Sequence, residues 1–204
     1  MSRKVFLTSC GLSDSMKELL LNKCGKRFEE LRILLVPTAG IETDGAREGL
    51  AVCLYEFEQM GIRNENMLVY NLELIPSKTY KRTYSAYISN PAIISRLITL
   101  EETKSFDAIF VTGGDADVLS REMNRTGFNQ VLKAAVDAGL IYIGISAGSM
   151  FAAGNLDEGL HIIPNRIFPH WNGDKMIKLP EKGEEIFLAD GQAVYIEDDQ
   201  CSLL

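Results

Sequence analysis

The chain has 204 residues, 46% of them hydrophobic and 24% charged, which is the make-up of a single globular domain spanning 1–204 with enough apolar side chains to bury its own core. Its formal net charge of −7 argues against a general nucleic-acid or membrane-surface binder, because polyanions repel an acidic chain that lacks a basic cluster. Cys10, Cys24, Cys53 and Cys201 lie far apart with no C-x-x-C pair, so neither a zinc site nor a disulfide framework is suggested and a reducing cytoplasm is expected. The apolar part of the first ten residues is too short for a signal peptide, and no apolar run reaches membrane-spanning length.

In chain order, short apolar runs alternate with amphipathic stretches. Val5 to Thr8 reads as a first strand, after which Ser13 caps a helix to about Lys23. Arg32 to Pro37 reads as a strand buried on both faces, followed by a helix from Asp44 to Met60 that Gly61 closes. Met67 to Tyr70 is a third strand. Lys78 to Ser89 is polar and poorly periodic, and Asn90-Pro91 is expected to start a helix running to about Thr99. Phe106 to Val111 is a fourth strand ending at Thr112-Gly113-Gly114-Asp115, and helices follow at about 116–123 and 127–138. Beyond Gly154 the pattern changes to Leu160 to Ile163, Glu185 to Leu188 and Ala193 to Glu197, expected as short strands of a terminal meander with Asp190-Gly191 as a hairpin turn. The repeated strand-helix-strand order implies an α/β fold: a doubly wound, mostly parallel sheet flanked by helices, with a short C-terminal β meander. Sites in such sheets lie beyond the carboxyl ends of the strands.

The apolar run Leu140 to Ile145 ends in Gly144-Ile145-Ser146-Ala147-Gly148, the nucleophile-elbow pattern, in which flanking glycines let strand and helix approach while the turn exposes the serine. The bland alternative is a small-residue loop between strand and helix. A serine needs a base, and the chain has two histidines. His161 sits among apolar neighbours, as a structural residue would. His170 lies in Phe168-Pro169-His170-Trp171-Asn172-Gly173, a loop suited to presenting a side chain in a cleft, and is favoured over His161 as the base, with a surface histidine beside an aromatic as the competing reading. Elbow geometry offers the Ala147 amide to a developing oxyanion, and Gly114 in the preceding strand-end loop could supply a second. The Gly-Gly pair is not a phosphate loop, since the Walker ending and the Gly-x-Gly-x-x-Gly spacing are absent.

Three stretches together, Val111 to Leu119, Tyr142 to Gly148 and Pro164 to His170, resemble the dipeptidase E group of serine peptidases, relatives of cyanophycinase with a fold like class I glutamine amidotransferases. The resemblance implies Ser146 as nucleophile, His170 as general base, and the Gly114 and Ala147 amides as oxyanion hole. It also places an acid near the C-terminus, which puts Asp190 in that role; an Asp-Gly hairpin turn is the competing reading. Two departures stand out. The loop after His170 lacks the basic stretch tied to N-terminal aspartate recognition, and the family's Asn after the glycines is Asp115 here, either a contact for a peptide α-ammonium or a helix cap. The implied activity is hydrolysis of short peptides through an acyl-enzyme without metal or organic cofactor, with no nucleic-acid or membrane partner and a homodimer as one compatible arrangement. A non-catalytic binding or regulatory protein and an esterase stay open as alternatives. Amidotransferase chemistry is disfavoured, because no cysteine occupies the elbow.

Overall fold

The computed structural model describes residues 2–41, 43–76 and 96–204. The five apolar runs become strands β1 (Lys4–Thr8), β2 (Ile33–Val36), β3 (Met67–Val69), β4 (Ala108–Val111) and β5 (Ile141–Ile145). The amphipathic stretches become helices α1 (Asp14–Cys24), α2 (Asp44–Gln59), α3 (Leu100–Thr103), α4 (Ala116–Thr126), α5 (Phe128–Asp137) and α6 (Ala147–Ala152). Local signals explain the boundaries. The Ser13 side chain accepts the Met16 N–H at the start of α1, and Gly25 ends that helix in the left-handed region at φ 65°. Gly127, at φ 78°, separates α4 from α5.

Four further strands follow, β6 (Arg166–Phe168), β7 (Glu185–Phe187), β8 (Ala193–Glu197) and β9 (Gln200–Leu203). Among the described residues the main sheet has seven strands in the order β3-β2-β4-β5-β1-β8-β9, while β6 and β7 form a separate pair. The first five strands of that order are mutually parallel, β8 runs antiparallel to β1, and β9 antiparallel to β8. Alternate residues of the central strands feed two cores. Val5, Leu34, Ile109 and Tyr142 pack with Leu119, Phe128 and Phe151 of α4 to α6, whereas Phe6, Leu35, Phe110 and Ile143 pack with Met16, Leu20 and Phe57 of α1 and α2. Helices on both faces are why these strands read as continuous apolar runs. Each such large side chain contributes on the order of 2 kcal/mol by leaving water.

The C-terminal third departs from the sequence reading. No strand forms at 160–163; the Leu160 and Ile162 N–H groups instead donate to the Phe151 and Ala152 carbonyls, docking the segment on the end of α6, and His161 turns the chain at φ 49°. Asp190-Gly191 is a turn, with Gln192 N–H donating to the Ala189 carbonyl at 3.0 Å, but it closes no hairpin. It sends the chain from β7, which pairs in parallel with β6, to β8, which pairs with β1. The hairpin is β8–β9, with Asp198 at φ 53°. The polar stretch at 78–89 and the expected helix start at Asn90-Pro91 lie outside the described residues. Where description resumes, Thr99 is extended and caps α3 in a capping box with Glu102, so no helix runs up to Thr99.

Candidate active site

The carboxyl ends of β1, β4 and β5, together with one side of α2, surround a cleft of about 580 Å³ lined by Ser9, Cys10, Glu56, Gly114, Asp115, Ser146 and His170 among others. A wider groove of about 760 Å³ between Glu18 and Met60 holds none of the groups that the sequence singles out. Ser146 begins α6 at φ 48° and ψ −105°, a conformation that costs a non-glycine residue about 1–3 kcal/mol. The surroundings hold it there. Its N–H donates to the Thr8 carbonyl at 2.9 Å, and its carbonyl accepts from Met150 at 3.0 Å. A Cβ on Gly144 would lie 2.6 Å from the Gly148 carbonyl carbon, and one on Gly148 would lie 2.2 Å from the Val111 oxygen. Both glycines of the elbow are therefore steric requirements. Ser149 Oγ sits within 2.8 Å of the Thr8 and Gly144 carbonyls, and the Tyr142 hydroxyl donates to the Gly148 carbonyl at 2.7 Å. Burial pushes the Tyr142 phenol well above its usual range, so it stays a neutral donor.

His170 faces Ser146 directly. Its Nε2 is 2.9 Å from Ser146 Oγ and its Nδ1 is 2.9 Å from Asp190 Oδ1. An ionised carboxylate only accepts, so Nδ1 carries the proton toward Asp190 and Nε2 is left to accept from the serine. The small sheet explains this meeting. Parallel β6 and β7 deliver their carboxyl ends side by side, one running into His170 and the other into Asp190, and the pairing extends through Leu188 N–H to Phe168 and Trp171 N–H to Leu188, each at 3.0 Å. Phe187 fixes the layer by stacking on Phe168 at 5.1 Å and packing on Trp171 at 4.7 Å.

Gly114 adopts φ 130°, and a Cβ there would lie 1.9 Å from the Ala39 oxygen, so only glycine fits. The adjoining Gly113 passes close to Ser146, where an added Cβ would lie 3.1 Å from Ser146 Cβ. Among the described residues neither the Gly114 nor the Ala147 N–H has a protein acceptor. Asp115 is the N-cap of α4, with Oδ1 accepting the Asp117 and Val118 N–H groups at 2.9 Å each, so the helix-cap reading holds. His161 stands apart, its Nε2 3.0 Å from the Asp157 carbonyl.

Ser9 carries no motif in the sequence, yet it joins the site. Its Oγ accepts the His170 N–H at 2.7 Å and donates to Asp190 Oδ1 at 2.8 Å. The available signal was its place just past the carboxyl end of β1, where sites in such sheets gather. Next to it, the Cys10 thiol is pushed up by burial and by the Asp190 and Glu56 carboxylates. Among the described residues no three His, Cys, Asp or Glu side chains gather in a way that could hold a metal ion, and no helix is long and apolar enough to cross a membrane.

Over 51 residues the chain is 43% identical to an uncharacterized peptidase of Pasteurella multocida, covering 25% of each protein. Over 93 residues it is 27% identical to an uncharacterized peptidase of Listeria monocytogenes, covering 37% of this chain and 45% of the relative. It is 37% identical over 78 residues to peptidase E of Streptomyces coelicolor, covering 32% of each. The matched stretches thus span less than half the length of these curated relatives. Two solved structures share the fold: a peptidase E candidate from Listeria monocytogenes, with TM-score 0.64 and 20% identity over 100% of this chain and 98% of that one, and a peptidase from an acI-B1 Actinobacterium, with TM-score 0.61 and 18% identity over 98% and 86%. Residues 95–204, more than half of the chain, match the model of peptidase family S51. On that match and the shared fold, the chain belongs to peptidase family S51.

Proposed function

We propose that the chain is a serine peptidase that hydrolyses short peptides through Ser146, His170 and Asp190. The observation that carries this reading is the unbroken hydrogen-bonded run from Ser146 Oγ through the His170 ring to Asp190 Oδ1, with 2.9 Å at both links. In the proposed mechanism His170 Nε2 takes the Ser146 proton as Oγ attacks the peptide carbonyl, while Asp190 stabilises the imidazolium. The oxyanion is met by the Gly114 and Ala147 amides, whose N–H groups are uncommitted among the described residues. His170 then protonates the departing amine, and water attacks the acyl-enzyme by the reverse proton path. The step sequence needs no cofactor. A cleft of about 580 Å³ is the size of a small-ligand site, which supports short peptides over folded proteins.

Asp115 carries the proposed contact to the peptide α-ammonium. Oδ1 is committed to the helix cap, which leaves Oδ2 as the acceptor. Asn caps a helix as well as Asp does, so Asp115→Asn removes the charge and keeps the cap. The expected result is a raised KM for dipeptides with a free amino terminus; an unchanged KM for every cleaved peptide would sink the ammonium contact. The central test is treatment with a fluorophosphonate, read by intact mass and peptide mapping. One adduct on Ser146, absent from Ser146→Ala and His170→Ala, is the expected outcome, followed by cleavage in a dipeptide library. No adduct on folded wild-type protein would overturn the reading.

A further inference from the structure

His170 and Asp190 are both about half exposed, with side-chain accessibilities of 53% and 63%. A pair so open to water is worth little by itself and holds no fixed geometry, since screening and side-chain entropy offset the attraction. Yet a base must stay within a fraction of an ångström of its serine to work. Something buried has to set the register. Ser9 is fully buried at the end of β1, and its hydroxyl touches both partners. It accepts the His170 backbone N–H at 2.7 Å and donates to Asp190 Oδ1 at 2.8 Å, the same oxygen that lies 2.9 Å from His170 Nδ1. One hydroxyl proton and two lone pairs allow both bonds at once. The Ser9 N–H donates to the Gln192 carbonyl at 3.2 Å, which ties the turn carrying Asp190 to the same residue. His170 also sits at φ 57°, a conformation that a bond to its own N–H helps to keep.

We propose that Ser9 is a positioning residue that locks base and acid together: its buried hydroxyl joins the His170 backbone to the Asp190 carboxylate and turns an exposed contact into fixed geometry. The kinetic part of this inference rests on the peptidase reading above; the tie itself does not. Removing the hydroxyl leaves the His170 N–H without its partner and Asp190 free to rotate. The rate of the covalent step should then fall while ground-state binding is kept, because the Ser9 hydroxyl is buried and turned to His170 and Asp190 rather than to the open cleft.

The test compares wild type with Ser9→Ala and with Ser9→Thr, which keeps the hydroxyl. Amide hydrogen exchange at His170, followed by NMR, reports the tie whether or not the protein is a peptidase. The expected result is protection in the wild type, its loss in Ser9→Ala and its return in Ser9→Thr. Fluorophosphonate labelling reports the consequence. The maximal labelling rate should fall about tenfold in Ser9→Ala, the size of one lost hydrogen bond to a charged group, with half-saturation unchanged and the rate largely restored in Ser9→Thr. If thermal melting shows that Ser9→Ala does not fold, Ser9→Cys, close in volume but a weak donor, carries the same expectations. Unchanged exchange at His170, or an unchanged labelling rate in a folded Ser9→Ala, would overturn the proposal. A wild type that takes no adduct but shows the exchange pattern would sink the peptidase reading and leave the tie standing.

Discussion

Gly148→Ala tests whether the elbow is as tightly packed as its geometry states. The added Cβ would lie 2.2 Å from the Val111 oxygen, 3.0 Å from its carbonyl carbon and 3.1 Å from its Cβ. An ordinary carbon-to-oxygen contact is about 3.3 Å, so relief requires α6 to move by about 1 Å from β4. Two of these obstacles are backbone, which cannot rotate away. Overpacking in a core costs about 1–3 kcal/mol, and this site belongs at the upper end. The same shift strains the Tyr142 bond to the Gly148 carbonyl, worth about 1 kcal/mol more. The total is about 3–4 kcal/mol. At about 2–4 °C per kcal/mol for a domain of this length, the melting temperature should fall by about 6–16 °C. Gly25→Ala is the control: at φ 65° it meets nothing within 4 Å, so only the left-handed backbone penalty of about 1 kcal/mol applies. Calorimetry on both variants reads the difference, and Ser146 labelling should drop at least tenfold in Gly148→Ala because Ser146 moves with the helix. A Gly148→Ala protein that melts with Gly25→Ala and labels at the wild-type rate would refute the reasoning.

Other substitutions probe separate parts of the structure. Asp190→Asn keeps the shape but lets an amide face Nδ1, so the tautomer is no longer enforced; labelling should slow by about 10²–10⁴ with little change in melting temperature, and a wild-type rate would remove Asp190 from the proposed triad. Glu102 is held at about 2 by the Arg96 guanidinium and by the Thr99 amide and hydroxyl. A depressed carboxyl stabilises the fold above its unfolded value of about 4.3 and loses that stability as pH falls toward 2. The pair is exposed, so screening limits the effect to about 1 kcal/mol at most, and Glu102→Gln should flatten the urea midpoint between about pH 5 and pH 2 by no more than that. Burial pushes the Cys53 thiol to about 12 and the Cys24 thiol to about 11, whereas Cys10 and Cys201 are raised less and are exposed. A maleimide at pH 8 should therefore modify Cys10 and Cys201 first and reach Cys53 only on unfolding; prompt modification of Cys53 in the folded protein would contradict its burial.

Ser146 was legible because its two glycines answer steric demands that no other residue meets, and such demands leave a mark in sequence. His170 was legible from a loop bounded by proline and glycine. Asp190 could be named only by resemblance, since Asp-Gly satisfies an ordinary turn as well, and here it makes a turn and meets His170 at once. The strand expected at 160–163 failed because the apolar side chains of Leu160 and Ile163 are buried by docking on a helix end, and one burial pattern fits both outcomes. The β6–β7 pair was not legible as a pair. Parallel partners are ordinarily joined through a helix, whereas 169–184 is irregular, so nothing local announces that the two strands lie side by side.

The least conspicuous element of the sequence proves to be the reference for the site. β1 lies between β5 and β8, with Thr8 opposite Ile145 on one side and Ala193 on the other. Its neighbours therefore carry Ser146 just past one end and Asp190 just before the other. The Thr8 carbonyl takes the Ser146 N–H, and the Ser9 hydroxyl takes the His170 N–H. Two residues at unfavourable φ, 48° and 57°, are thus each anchored through their own amide to consecutive residues of one buried strand end. Strain persists only where the surroundings over-determine it, and β1 is held by a paired strand on each side. That placement explains how Ser146 and His170, separated by 24 residues, keep a 2.9 Å contact although the histidine side chain stands half in solvent.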